Sequence, residues 1–401
     1  MAPLAEPLTK NRRYDLDWLR FIAFALLILY HIGMFYVSWG WHVKSVYASP
    51  AAEPLMSLVN PWRLALLFFI SGVAVRFASD KMAAGTFAAS RLKRLGLPIL
   101  FGVLVIVVPQ PYFELVQAGR FEGGYLAFYR NYLNPAQLFP MITPTWNHLW
   151  YVVYLLVYIL LLAPFLKPLA RFAAGRGGEA FGRLLGHPLR LLLIVPLPFI
   201  LYETALRPLF PTTHDLVNDW YNHALRFTIF IIGYFAAKSD TFWAAVSRAL
   251  PLAAAIAGAI GLFITIYLTT PGLAESRPLL PLTRALIVAF YFWSAIVVLL
   301  GLARRFFNRD SKVLRYLTEA IFPYYILHQT IIVIAGFHLT HAALGPWPEF
   351  LSLVLITAGG CALLHEYCIR RVDWLRALFG LKPRARPDYR PQAPELNVDP
   401  V

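Results

Sequence analysis

The chain is poor in charge and in cysteine, and both shortages narrow what its 401 residues can be. Charged side chains make up 14% of it and hydrophobic ones 59%, whereas an average soluble domain carries about 25% charge. An ordinary water-soluble enzyme is excluded. The two cysteines, Cys361 and Cys368, fall near the inner end of the last apolar run. They supply neither a disulfide framework nor a metal-ligand set, and no metal is expected. No Gly-x-Ser-x-Gly elbow marks a serine nucleophile. No internal repeat stands out, which counts against an inverted-repeat transporter. The first apolar run lacks a following small-residue cleavage site, so it reads as a retained span rather than a signal peptide.

Apolar runs of membrane-crossing length are abundant. Ten are expected, near 18–38, 57–78, 95–116, 146–166, 189–206, 223–242, 249–270, 279–302, 317–337 and 347–369. The fifth, broken by Pro196 and Pro198, is the weakest. The expected fold is all-α, a polytopic transmembrane helix bundle of about ten spans. Residues 1–16 form an N-terminal tail, 17–380 the membrane domain, and 381–401 a proline-rich tail expected to be disordered. With the N-terminus inside, every inner segment carries at least as many Lys and Arg as the richest outer loop. The positive-inside rule therefore places both termini in the cytoplasm. The net charge of +15 then lies beside membrane ends, where anionic head groups attract it. The lipid bilayer is the expected partner, and nucleic acid is excluded. The outer loop 117–145 is aromatic and is expected to form a lid or surface helix. The inner loop 167–188, with Gly175-Arg-Gly-Gly178, is expected to be flexible.

Chemistry begins in the first span, Asp15-Leu-Asp-Trp-Leu-Arg20 and onward to His31. Eleven residues at about 1.5 Å each put His31 roughly 16 Å from Arg20, beyond the bilayer middle. An imidazole there needs partners or a wet cavity; the plain alternative is a satisfied polar residue between helices. His328 in the ninth span reaches a similar depth. Nearer the outer side come Arg63, His148, Glu203, His223, Arg226 and Arg284. Nearer the inner side come Arg20, Arg76, Arg91, Arg94, Glu319 and Glu366. Acids and bases at both levels point to a polar path through the bundle, since isolated charges facing lipid are costly. Arg226 and Arg76, taken alone, read as snorkelling side chains; Arg63 and Arg284 lie too deep for that. Arg91 and Arg94, three apart on one helix face, can grip phosphates with forked guanidinium groups, or can be a plain topology signal.

Read together, Leu16-Asp17-Trp-Leu-Arg20 with His31, Leu67-Phe-Phe-Ile-Ser-Gly72, Arg91-Leu-Lys-Arg94, His148-Leu-Trp-Tyr151 and Phe322-Pro-Tyr-Tyr-Ile-Leu-His328-Gln329 resemble the acyltransferase family 3 of integral membrane O-acyltransferases. The resemblance implies transfer of an acyl group, succinyl or acetyl, from a cytoplasmic acyl-CoA to a hydroxyl of a periplasmic or cell-surface glycan. Acyl-CoA is then a co-substrate and no cofactor is bound. The implied setting is a bacterial inner membrane, with proteins of glucan synthesis as partners. By position, His31 is the essential histidine, Arg20 its partner and Arg91 with Arg94 the donor-side motif; Arg76 is counted with them. His328 is expected to orient or stabilise, and Arg63, Arg284 and His148 to bind substrate. A neutral imidazole suits this chemistry, because a thioester is already activated and needs only a deprotonated hydroxyl. Two rival classes use the same residues: a proton-coupled transporter or acyl flippase without transfer chemistry, and a non-catalytic membrane subunit.

Overall fold

A computed structural model describes residues 13–134 and 141–384, and no strand occurs among them. Among the described residues, nine helical segments are long and apolar enough to cross a membrane. We label the spans α1 Tyr14–Tyr36, α2 Pro50–Ser79, α3 Ala84–Gln117, α4 Asn147–Ala174, α5 Pro188–Leu206, α6 Trp220–Ala236, α7 Asp240–Thr269, α8 Pro281–Phe306, α9 Lys312–His341 and α10 Pro346–Ile369. The sixth, α6, has 17 residues, or about 26 Å of rise, slightly short of the hydrocarbon thickness. The end of the bundle that carries the α1–α2 and α3–α4 connections is called outer, following the charge rule above.

Helices are the form an apolar chain takes in lipid, because each backbone N–H and C=O finds its partner within the segment. Where a span stops, side chains take over. At the end of α1, Lys44 Nζ donates to the carbonyls of Met34 and Val37, both at 2.6 Å. Its burial lowers the ammonium pKa to about 8. In α5 the prolines do not break the span: Pro196 opens a fresh helical turn at the position where its missing N–H costs nothing. Among the described residues, four helical stretches are widened to π-type turns, at Leu92–Gly96, Gly102–Ile106, Tyr202–Leu206 and Leu364–Ile369. Such turns cluster at functional sites, and the first of them follows directly on Arg91.

The closest helix pair is α2 with α6. A Cβ on Gly72 would lie 2.0 Å from the Phe230 carbonyl oxygen, and one on Gly233 2.1 Å from that of Phe69. Only glycine lets two backbones approach so closely. The helices run in the same direction, since Asp80 at the inner end of α2 receives Lys238 just beyond α6. Elsewhere α1 packs on α9, α7 on α8 and α9 on α10.

Two local expectations are revised and a third, the surface helix of the outer loop, is met. The inner connection after α4 is not a loose loop: Arg176–Leu185 is helical, because Phe181 packs on Phe235 and Phe242 at 5.8 and 5.6 Å. The aromatic outer loop holds a surface helix, Tyr125–Tyr132, fixed by the Tyr132 hydroxyl, which donates to Val103 O at 2.8 Å; burial pushes that phenol up to about 12. Residues 381–384 remain attached, through Arg376 Nε to Lys382 O at 2.8 Å and Arg384 to Asp373 at 3.4 Å. The remainder of both expected tails, 1–12 and 385–401, lies outside the described residues.

Candidate active site

His31 lines a cavity of about 1130 Å³ whose walls include Tyr30, Trp39, Arg63, Trp146 and Tyr291. Behind it, fully buried, stands His328. His31 Nδ1 and His328 Nε2 are 2.7 Å apart, with the rings nearly parallel at 6°. The opposite nitrogen of His328, Nδ1, is 2.7 Å from the Tyr325 carbonyl one helical turn back. A carbonyl only accepts, so this nitrogen carries the proton. Neutral His328 then offers a lone pair at Nε2, and His31 must donate its Nδ1–H to it. The remaining nitrogen of His31, Nε2, keeps its lone pair and has no hydrogen-bond partner among the described residues. The arrangement fixes one tautomer of His31 and leaves its basic atom free.

His148 adjoins this pair, its ring edge-on to His328 at 5.1 Å. It is committed on both nitrogens: Nε2 donates to Ile326 O at 3.1 Å and Nδ1 accepts from Gln110 Nε2 at 3.3 Å. Gln110 Nε2 also donates to Thr330, while its carbonyl oxygen accepts from Asn147 and Gln329 at 3.0 and 2.9 Å. Gln329 donates in turn to His42 Nε2 at 3.0 Å, and His42 Nδ1 faces Glu114. The chain is satisfied from the cavity floor to its rim, so it rigidifies the floor. Sequence reading missed Gln110, Gln329 and His42. The available signal was an uncharged amide inside an apolar span, between Pro109 and Pro111.

The outer arginines differ. Arg284 pairs with Glu203 at 3.0 Å, as does Arg207, and Tyr221 donates to the other Glu203 oxygen at 3.0 Å. Arg63 makes no ion pair among the described residues: its guanidinium lies 3.3 Å over the Tyr30 ring, and Nη1 donates to Asn60 at 2.6 Å. Arg226, read above as snorkelling, is turned into the same cavity. His214 stacks on Trp150 at 4.3 Å, and burial lowers its pKa to about 4, so the ring is uncharged at neutral pH.

On the inner side the structure does not bring Arg20 to His31. Arg20 instead neighbours Arg94 and Tyr151, and Arg91 completes the cluster. None of these arginines lines the outer cavity. Arg76 is held by Asp80. Between the cluster and His31 lies an aromatic layer: Phe24 meets Tyr325 at 5.3 Å and Tyr151 at 6.1 Å, and Tyr151 shares a 2.8 Å hydrogen bond with Ser71. The polar path expected from the sequence is interrupted there. Among the described residues no group of three His, Cys, Asp or Glu side chains is placed to hold a metal ion.

A bundle of apolar spans around a histidine pair at a wide cavity defines a multi-pass integral membrane protein. The acyltransferase-domain family model matches residues 13–366, and the chain belongs to that family: it is a membrane acyltransferase. Among curated proteins it is similar to glucans biosynthesis protein C of Escherichia coli. The proteins of strains SMS-3-5 and K12 are each 23% identical over 389 residues, covering 94% of this chain and 96% of theirs. No solved structure gives a significant match.

Proposed function

We propose that the protein moves an acyl group, succinyl or acetyl, from a cytoplasmic acyl-CoA to a hydroxyl of a periplasmic or cell-surface glycan in the bacterial inner membrane, with His31 as general base. The observation that carries this reading is the free Nε2 of His31 on the floor of a wide cavity, with its tautomer held by His328. The glycan hydroxyl attacks the thioester carbonyl and gives its proton to His31 Nε2. The C–O bond forms, the C–S bond breaks, and the proton passes to the leaving sulfur, releasing CoA as a thiol. A positioned base of this kind contributes about 10²–10⁴-fold. Indole and phenol faces such as Trp39, Trp146 and Tyr291 present the apolar surfaces with polar edges that suit a sugar ring. Arg91 and Arg94 are the donor-side grip for CoA phosphates, with Arg20 beside them. The name of the Escherichia coli relatives supports a glucan as acceptor and proteins of glucan synthesis as partners.

The test is acyl transfer by the purified full-length protein, read as thiol release together with acyl mass on the glycan. His31→Ala should abolish both in a correctly inserted protein. His328 acts as a positioning residue: His328→Gln, which retains an acceptor for His31 Nδ1–H, should keep more activity than His328→Leu and shift the pH profile of kcat. Full turnover in His31→Ala, or solute flux without thiol release, refutes the reading.

A further inference from the structure

Two guanidinium groups stand in the cavity wall without an ion-pair partner among the described residues. Arg63, 8% exposed, has no acceptor for its buried Nε. Arg226 gives its Nε to Asn222 Oδ1 at 2.9 Å and has none for its buried Nη1. Of the nearby carboxylates Asp219 and Glu203, the former attracts Arg226 without forming an ion pair with it, and both hold other donors. Asp219 accepts from Tyr154, Asn222 and the backbone amides of Thr213 and His214, and Glu203 from Arg207, Arg284 and Tyr221.

The two arginines are brought together by the frame of the bundle. Arg63 lies nine residues outward of Gly72 on α2, and Arg226 seven outward of Gly233 on α6, roughly 13 and 10 Å from a crossing where the two parallel backbones touch. Each stands in the other's electrostatic field, and Arg63 in that of His31. Two like charges at one level of a membrane bundle are unfavourable unless something negative completes them. Both side chains line the cavity, and a fork of guanidinium donors is the group best suited to hold a carboxylate.

We infer that Arg63 and Arg226 form a carboxylate subsite beside His31, so that one of the two substrates brings a carboxylate to this histidine. The identity of those substrates rests on the acyltransferase reading above; the anion site itself does not. The carboxylate has two sources, the far end of a dicarboxylic acyl group or an acidic sugar of the acceptor.

The experiment uses the full chain in lipid nanodiscs with succinate as the probe. Wild-type protein should bind succinate, and Arg63→Gln and Arg226→Gln should each weaken binding at least tenfold while thermal unfolding without ligand is retained. Should a variant fail to fold, phenylglyoxal labelling of the wild type, mapped by mass spectrometry, replaces it: succinate should protect both Arg63 and Arg226. Two transfer ratios then separate the sources. If the acyl group carries the anion, the variants lower the ratio of succinyl-CoA to acetyl-CoA use on a neutral glucan at least tenfold. If the acceptor carries it, they lower the ratio of uronate-bearing to neutral glucan with acetyl-CoA. Unchanged succinate affinity in folded variants, absence of protection at both arginines, or two unmoved ratios overturn the subsite. Succinate binding lost in the variants, in a wild type that transfers no acyl group, upholds the subsite and refutes the proposed function instead.

Discussion

In the outer half of the bundle, a cavity of about 1130 Å³ surrounds a histidine whose free nitrogen is already selected, above a hydrogen-bonded floor running from His148 to Glu114. In the inner half, Arg20, Arg91 and Arg94 gather near the widened turn of α3, yet none of them lines the outer cavity or the smaller inner one of about 430 Å³ beside Arg370 and Arg376. One side is assembled before any ligand arrives. The other holds its charges against a layer of Phe24, Tyr151 and Tyr325. Under the transfer proposed above, the contrast separates two tasks: fixing geometry for the chemistry, and admitting a bulky donor without opening a leak.

The comparison breaks most visibly at the floor. His31→Gln should lower transfer by about 10²–10⁴-fold with unaltered membrane insertion, measured as thiol release; a small effect would move the chemistry out of the outer half. Next in size is the frame the halves share. Gly72→Leu drives a side chain into the Phe230 carbonyl and should cost about 3 kcal/mol in thermal or denaturant unfolding. An undisturbed melting temperature would mean that α2 and α6 are looser than drawn.

The inner half is sharpened by Arg91→Lys and Arg94→Lys, which keep charge and lose the fork. Each should weaken acyl-CoA binding by about tenfold, read by calorimetry, whereas equal affinity would reduce the motif to a topology signal. The smallest effect is on the outer rim. His214 has a pKa of about 4 in the fold against 6.5 for the free side chain, because burial against Trp150 penalises the charged ring. Its contribution to stability is therefore intact above pH about 6.5 and is lost as pH falls towards 4. The melting temperature should decline through that window in wild type and less steeply in His214→Asn.

Much of this was legible in the residues. Depth along two spans placed His31 and His328 at one level, and apolar length gave the spans, the one expected at 223–242 being the shorter helix α6 of 17 residues. Spacing within one helix could not show which neighbour a side chain meets. Arg20 and His31 share α1 but face different company, and Arg226 looked like a surface cation because nothing in its own segment reveals that α6 lies backbone to backbone with α2. Arg284 looked free for the reason that Glu203, its partner, lies 81 residues away. The amide chain through Gln110 and Gln329 was hidden for the same cause: three segments must meet before its hydrogen bonds exist.

The contact of Gly72 with Phe230 and of Gly233 with Phe69 also decides which parts of the protein can move. Helices joined through their backbones have no side-chain cushion to deform, so α2 and α6 behave as a doorpost. Movement is left to places where helices meet through side chains, as where Phe24, Tyr151 and Tyr325 touch through ring edges.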